Sequence, residues 1–323
     1  MTPMELASAN LLSPIVLSFV LGALTVALRS DFRLPEHVFD GLTIYLMLAI
    51  GLKGGVQLGE ADLAQIAPFA AVAVVLSLAI PLWCFFVLRS LMRFSVADAA
   101  ALAAHYGSVS AVTFIAVLAF LENAGIRYEG FSAALLAIME APGIVVAIVL
   151  ARVSGRGDEA QGLWRIVAAV GSGKSMVLLI GGLCIGWIVG DSGFATVKPF
   201  FVGLFPGALC LFLLELGRLA ALRAGELRHV GARVAVFAIG APVVQGLAGV
   251  ALGWAAGLSL GGTVVLATLA ASASYIAAPA AVRIALPQAN PAIYLTASLA
   301  ITFPFNLVLG IPIFLAASRF VLT

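Results

Sequence analysis

Ala104-His105-Tyr106-Gly107-Ser108-Val109-Ser110-Ala111-Val112-Thr113 lies inside the long apolar run 97–120 and breaks it with a glycine, two serines and a histidine. A second stretch, Ala271-Ser272-Ala273-Ser274-Tyr275-Ile276-Ala277-Ala278-Pro279, interrupts another apolar run in the second half of the chain. Irregular backbone inside a lipid-spanning run is tolerated only where protein or a cavity satisfies its polar groups. Two such interruptions in corresponding halves point to a solute site where they meet.

The chain around them is apolar. Its 323 residues are 63% hydrophobic and 10% charged, against about 45–50% and about 25% in a soluble domain. A net charge of +2 is too small to imply a nucleic-acid partner, so the lipid bilayer is the expected solvent. Cys84, Cys184 and Cys210 sit in apolar runs without metal-ligand spacing and read as small hydrophobes. Residues 1–10 carry Glu5 and no basic residue, so the first apolar run reads as a retained helix rather than a signal peptide.

A spanning helix needs about 20 mostly apolar residues. Ten runs qualify, near 11–28, 38–58, 67–88, 97–121, 131–151, 174–190, 197–217, 233–256, 261–286 and 293–317. The expected fold is therefore an all-α integral membrane protein with ten transmembrane helices. The hydrophilic link 152–173 divides it into a first five-helix repeat, 1–151, and a second, 174–323.

Lys and Arg set the orientation. Connections after spans 1, 3, 5, 7 and 9 hold Arg29, Arg33, Arg89, Arg93, Arg152, Arg156, Arg165, Lys174, Arg218, Arg223, Arg228, Arg233 and Arg283. The other side holds Lys53, Arg127, Lys198 and Arg319, which completes the 17. Both termini are thus expected on the non-cytoplasmic side. Five spans per half also require that homologous halves be inverted. Leu102-Ala103-Ala104 matches Leu269-Ala270-Ala271, and 137–142 aligns with 299–304, pairing Glu140 with Thr302 and Pro142 with Pro304. The pattern predicts a 5+5 inverted repeat with interrupted helices 4 and 9, a plan common among secondary transporters.

If each interrupted helix restarts in mid-membrane, its new N-terminus offers free N–H groups and about half a positive charge. Two such ends make an anion site without Lys or Arg. Ser108, Ser110, Ser272 and Ser274 are the candidate caps and donors, with Gly107 allowing close approach. The small side chains favour an inorganic anion or a very small organic one. Tight helix packing is the competing explanation for a single Gly/Ser cluster; the paired arrangement favours a site.

Glu140 falls near the middle of span 5, where a carboxylate is costly and marks an ion pathway or a proton relay. Thr113, Thr302 and Asn306 add oxygens, so these four are the candidate sodium ligands; a protonated, purely structural Glu140 is the alternative. Glu215 and Arg218 read as a structural pair one turn apart, Lys53 and Arg283 as snorkelling, and His105 as a titrating or a packed histidine. Tyr106 and Tyr275 flank the breaks. Gly171-Ser172-Gly173-Lys174-Ser175 resembles the end of a P-loop, but the first glycine that motif needs is Ala168 and no strand precedes it. His105 and Ser108 share one segment without a G-x-S-x-G elbow, and no H-E-x-x-H occurs. An intramembrane hydrolase is therefore a distant alternative, a receptor or structural protein more so, and no catalytic residue is named.

The stretch 105–114, together with Ala49-Ile50-Gly51-Leu52-Lys53-Gly54-Gly55, Met139-Glu140-Ala141-Pro142 and Gly173-Lys174-Ser175, resembles the SbtA-type sodium-dependent bicarbonate transporters. The resemblance implies a core of spans 3–5 and 8–10 and a gate of spans 1–2 and 6–7. It implies bicarbonate held by Gly107, Ser108, Val109 and Ser110, with Ser272, Ala273 and Ser274 opposite, and Na+ as the coupling ion. It also implies a homotrimer in a bacterial plasma (inner) membrane and a cytoplasmic PII-like SbtB regulator. No further cofactor is expected. A transporter of another small anion or carboxylate, sodium- or proton-coupled, is the alternative.

Overall fold

The computed structural model describes residues 11–61, 63–154, 163–226 and 231–322, and among them every regular element is helical. In chain order these are α1 (Pro14–Ala27), α2 (Glu36–Glu60), α3 (Leu63–Phe86), α4 (Val96–Gly107), α5 (Ala111–Asn123), α6 (Ser132–Glu140) and α7 (Pro142–Val153). The second half contains α8 (Leu163–Gly171), α9 (Lys174–Ala195), α10 (Phe205–Ala224), α11 (Ala232–Ala255), α12 (Leu260–Ala270), α13 (Ala277–Ala285) and α14 (Pro291–Leu322).

Eight units among the described residues are long and apolar enough to cross a membrane: α2, α3, α4–α5, α6–α7, α9, α10, α11 and α14. The other two expected spans are shorter. α1 has 14 residues, or about 21 Å of helix at 1.5 Å per residue. The sequence predicts a run from residue 11, but the Ser13 side chain accepts from the Val16 N–H and Pro14 opens the helix late. Arg29, at φ 54°, closes the other end. α12 has 11 residues and stops at the second break. Of the hydrophilic link, 155–162 lie outside the described residues, as do 1–10; α8 forms the end of the link.

Small residues set how the long helices pair. α2 lies parallel to α9, with Gly51 facing Gly182 and Gly186 pressed on the backbone of Leu52. A methyl group on Gly186 would overlap that backbone, which is the reason for glycine there. Asp40 and Lys174, 2.8 Å apart, pin the first turns of this pair at one end of the bundle. α1 packs along α10, and α10 also meets α2. On the other side α4 is enclosed by α3 and α7, and α12 by α11 and α14.

Two hydrogen-bonded clasps fix the direction of the interrupted spans. At the start of α12, Glu129 from the connection after α5 accepts from the Ser259 N–H at 2.7 Å, with the Ser259 hydroxyl 3.1 Å from its second oxygen. At the start of α4, Asp98 accepts from the Asn290 N–H at 2.8 Å in the connection after α13. Each interrupted helix therefore begins where the other finishes, and α4–α5 and α12–α13 run antiparallel. Their breaks are carried to the same depth.

Candidate functional site

Ser95 caps α4 by accepting from the Asp98 N–H at 3.0 Å, and an alanine-rich sequence, the best helix former, carries the helix to Gly107. Ser108 then turns extended (φ −102°, ψ 155°). The Ser110 side chain accepts from the Thr113 N–H at 3.2 Å and starts α5. The gap is three residues long. In the second half α12 ends at Ala270, residues 271–276 are unwound, and the Ser274 hydroxyl oxygen accepts from the Ala278 N–H at 3.2 Å in the first turn of α13.

The breaks bind each other. The Ser110 N–H donates to the Ser272 hydroxyl oxygen at 2.9 Å, and the Ser274 N–H donates to the His105 carbonyl at 2.8 Å. The Ser272 hydroxyl in turn donates to the Leu269 carbonyl at 2.8 Å. Gly107, Ser108, Val109, Ser110, Ser272, Ala273 and Ser274 are all buried and all meet at this crossing. Of the four serines, Ser110 is the N-cap of α5, and Ser274 bonds the first turn of α13, whose N-cap residue is Ile276; Ser108 and Ser272 bond to carbonyls instead. The N–H groups of Val109, Val112 and Ala273 have no hydrogen-bond partner among the described residues. Buried N–H groups without partners are rare, because each forfeits its hydration without return.

Each break is also tied to the proline-containing helix that follows it. Ser108 donates its hydroxyl proton to the Glu140 carbonyl at 2.7 Å, at the bend where α6 ends before Pro142. Asn306 in α14 donates its amide to the Ala271 carbonyl at 2.8 Å. α14 carries Pro304 between two π-helical stretches, Thr296–Thr302 and Asn306–Gly310. Such wide turns cluster at functional sites. Thr302 closes the first and Asn306 opens the second.

The four candidate cation ligands are all buried but occupy different flanks of the crossing. Thr302 donates to the Ala238 carbonyl and pairs with the Tyr106 hydroxyl at 2.6 Å, one residue before Gly107. Asn306 keeps its Oδ1 without a partner. Thr113 is in the first turn of α5, and α5 touches the Asn306–Gly310 stretch. Glu140 stands on the α6–α7 side, and its carboxylate forms no hydrogen bond among the described residues. Its backbone, not its side chain, links it to the first break.

Other charged and titratable groups divide as follows. His105 is a packed histidine: Nδ1 lies 2.7 Å from the Ala101 carbonyl and the ring lies against Tyr294, while Nε2 has no partner. Arg218 grips both oxygens of Glu215, which also accepts from the Leu34 N–H, so this pair is structural as expected. Lys53, read from the sequence as snorkelling, directs its ammonium to Glu122 at 2.7 Å at the end of α5, with its side chain 37% exposed. Lys174 pairs with Asp40 and is not part of a nucleotide loop.

Sequence reasoning missed two residues that shape the crossing. Pro81 of α3 covers Gly107 on one side and Gly143 of α7 on the other, so close that a methyl group on Gly143 would overlap the Gly107 carbonyl. The adjacent Pro142-Gly143 pair was the available signal. Pro81 had none, because a proline within an apolar run does not announce its partner.

Compared with known families, residues 14–319, nearly the whole chain, match the family model of the Na+-dependent bicarbonate transporter superfamily. No curated protein gives a match.

Proposed function

The chain belongs to the Na+-dependent bicarbonate transporter superfamily, and from that premise we propose that it takes up bicarbonate with sodium by alternating access, the anion resting where the two breaks cross. Membership of a transporter superfamily makes it a non-enzyme.

The observation that carries this reading is the trio of unpartnered N–H groups at Val109, Val112 and Ala273, at the junction of two half-helices. A small oxyanion would accept from them and lie near the positive ends of α5 and α13. Lys and Arg are not required. Sodium beside the anion would offset its charge in a low-dielectric surrounding. Asn306 Oδ1, a buried acceptor without a partner, is the strongest single reason to put the cation near the second break, with Thr113, Thr302 and Glu140 as further oxygens. Binding of either ion would then raise affinity for the other to the same extent.

The wider reading counts α1 as the first span and α12–α13 as the ninth, giving ten in a 5+5 inverted repeat: 1–151, the linker 152–173, and 174–323. The antiparallel interrupted spans and their reciprocal clasps support it. In this reading α3–α7 and α11–α14 form the core that moves, and α1, α2, α9 and α10 the gate. A homotrimer in a bacterial inner membrane, both termini outside, and a PII-like cytoplasmic regulator follow from the family resemblance.

The lone buried carboxylate of Glu140 favours a second reading, in which a proton is the coupling ion and the cargo is another small anion or carboxylate. Uptake of labelled bicarbonate into proteoliposomes separates the two. Sodium-driven accumulation that reverses with the gradient supports symport; uptake indifferent to sodium but driven by a pH gradient supports the second reading.

A further inference from the structure

A cavity of about 130 Å³ opens between α2, α5 and α10 at the end of the bundle where α5 finishes. Its apolar wall is formed by the partly exposed Ile15, Leu118, Phe201 and Phe205, backed by the buried Phe114 and Leu209. Lys53, Gln57, Glu122 and Tyr128 line its polar side, where Lys53 and Glu122 are partly exposed (37% and 53% of the side chain). Apolar walls with a few convergent polar groups are the usual form of small-molecule sites. Bicarbonate has no apolar part to cover such a wall.

The polar groups already hold a carboxylate. One oxygen of Glu122 receives the Lys53 ammonium at 2.7 Å and the Tyr128 hydroxyl at 2.8 Å. Burial, and Glu122 beside it, push the Tyr128 phenol above its ordinary range, so it remains a proton donor. Ion pairs this exposed contribute little net stability, about 0–1 kcal/mol, and an external carboxylate can compete with Glu122 for the same two donors.

We propose that this cavity binds an amphipathic monocarboxylate, which displaces the Glu122 carboxylate from Lys53 and Tyr128 and lays its apolar body against Ile15, Leu118 and Phe205. Such a ligand bridges α2 and α5, two helices the transport reading assigns to the gate and the core. Binding of 2-naphthoate to the purified full chain in nanodiscs, followed by the thermal unfolding midpoint, tests the site without measuring transport. Failure of bicarbonate uptake would therefore leave this result standing, and the reverse.

The expected result is a saturable rise in midpoint with 2-naphthoate and none with 2-naphthalenemethanol or acetate. Lys53→Met removes the charge-assisted bond and should weaken binding about tenfold, and Tyr128→Phe by a few fold. Glu122→Gln should tighten it, because the internal competitor loses its charge. The proposal is overturned by an equal response to the alcohol, by acetate acting as well as naphthoate, by unchanged binding in both Lys53→Met and Tyr128→Phe, or by weaker binding in Glu122→Gln. If Lys53→Met does not fold, Tyr128→Phe and Glu122→Gln decide it.

Discussion

The Ser110 N–H and the Ser272 hydroxyl oxygen meet at 2.9 Å, joining two positions 162 residues apart in the chain. Neither group has an alternative partner in a regular helix, since Ser110 caps α5 and Ser272 lies in the unwound stretch 271–276. Each break therefore holds the shape of the other, and the two act as one unit.

Ser272→Ala separates these contributions. It strands the Ser110 N–H, at a cost of about 1–3 kcal/mol for a buried unpaired donor. The half-saturating bicarbonate concentration should rise about tenfold or more, at 1.4 kcal/mol per decade. Membrane abundance should stay near wild type. Unchanged uptake kinetics would remove Ser272 from the site.

Ser108→Ala tests the link from the first break to the α6–α7 bend. The lost hydroxyl frees the Glu140 carbonyl, so the bend loosens beside the proposed anion position. Weaker bicarbonate dependence with normal abundance is the expected outcome, read by the same uptake assay.

These contacts explain what could be read from the sequence. Both breaks were legible because Gly107-Ser108-Val109-Ser110 and Ser272-Ala273-Ser274 stand out chemically against apolar surroundings. Their mutual approach could be expected because two interruptions stand in corresponding halves of the chain. The partners of each serine were not legible, because a hydroxyl can cap a helix or bond a carbonyl, and tertiary packing decides which. Glu140 and Asn306 carry the same lesson. One reaches the break by its carbonyl, the other by its amide, and a residue list cannot distinguish main-chain from side-chain roles. α1 begins at Pro14, three residues inside the apolar run; hydropathy ignores Ser13 as a cap and Pro14 as a start.

Gly143→Ala examines the close approach of α7 to α4. The added methyl would meet the Gly107 carbonyl, and neither backbone can retreat with Pro81 packed behind Gly107. Overpacking of this kind costs about 1–3 kcal/mol. The thermal midpoint should fall and substrate affinity with it, because the displaced residue is in the break itself. A wild-type midpoint would mean that α7 moves away freely.

Glu129→Gln and Asp98→Asn probe the two clasps separately. Each acidic side chain accepts from an N–H at the start of an interrupted span or its opposing connection. Loss of such a charged cap costs about 0.5–2 kcal/mol, and distant sites add. Both single variants should lower the thermal midpoint modestly, and the double variant should lower it by the sum. A shortfall in the double variant would indicate that the clasps report on one shared element.

Glu140→Gln distinguishes the coupling ions. The substitution keeps an oxygen in place but removes the charge of a buried carboxylate that has no side-chain partner among the described residues. If Glu140 helps to hold sodium, the half-saturating sodium concentration should rise about tenfold or more, as expected for loss of a charged contact worth 1.5–3 kcal/mol. The half-saturating bicarbonate concentration, measured at low fixed sodium, should rise in parallel because linkage is reciprocal. If Glu140 carries a proton instead, the variant should lose the pH dependence of uptake and keep its response to sodium. Measuring both dependences on one preparation decides between them, since no single role for the carboxylate predicts both outcomes.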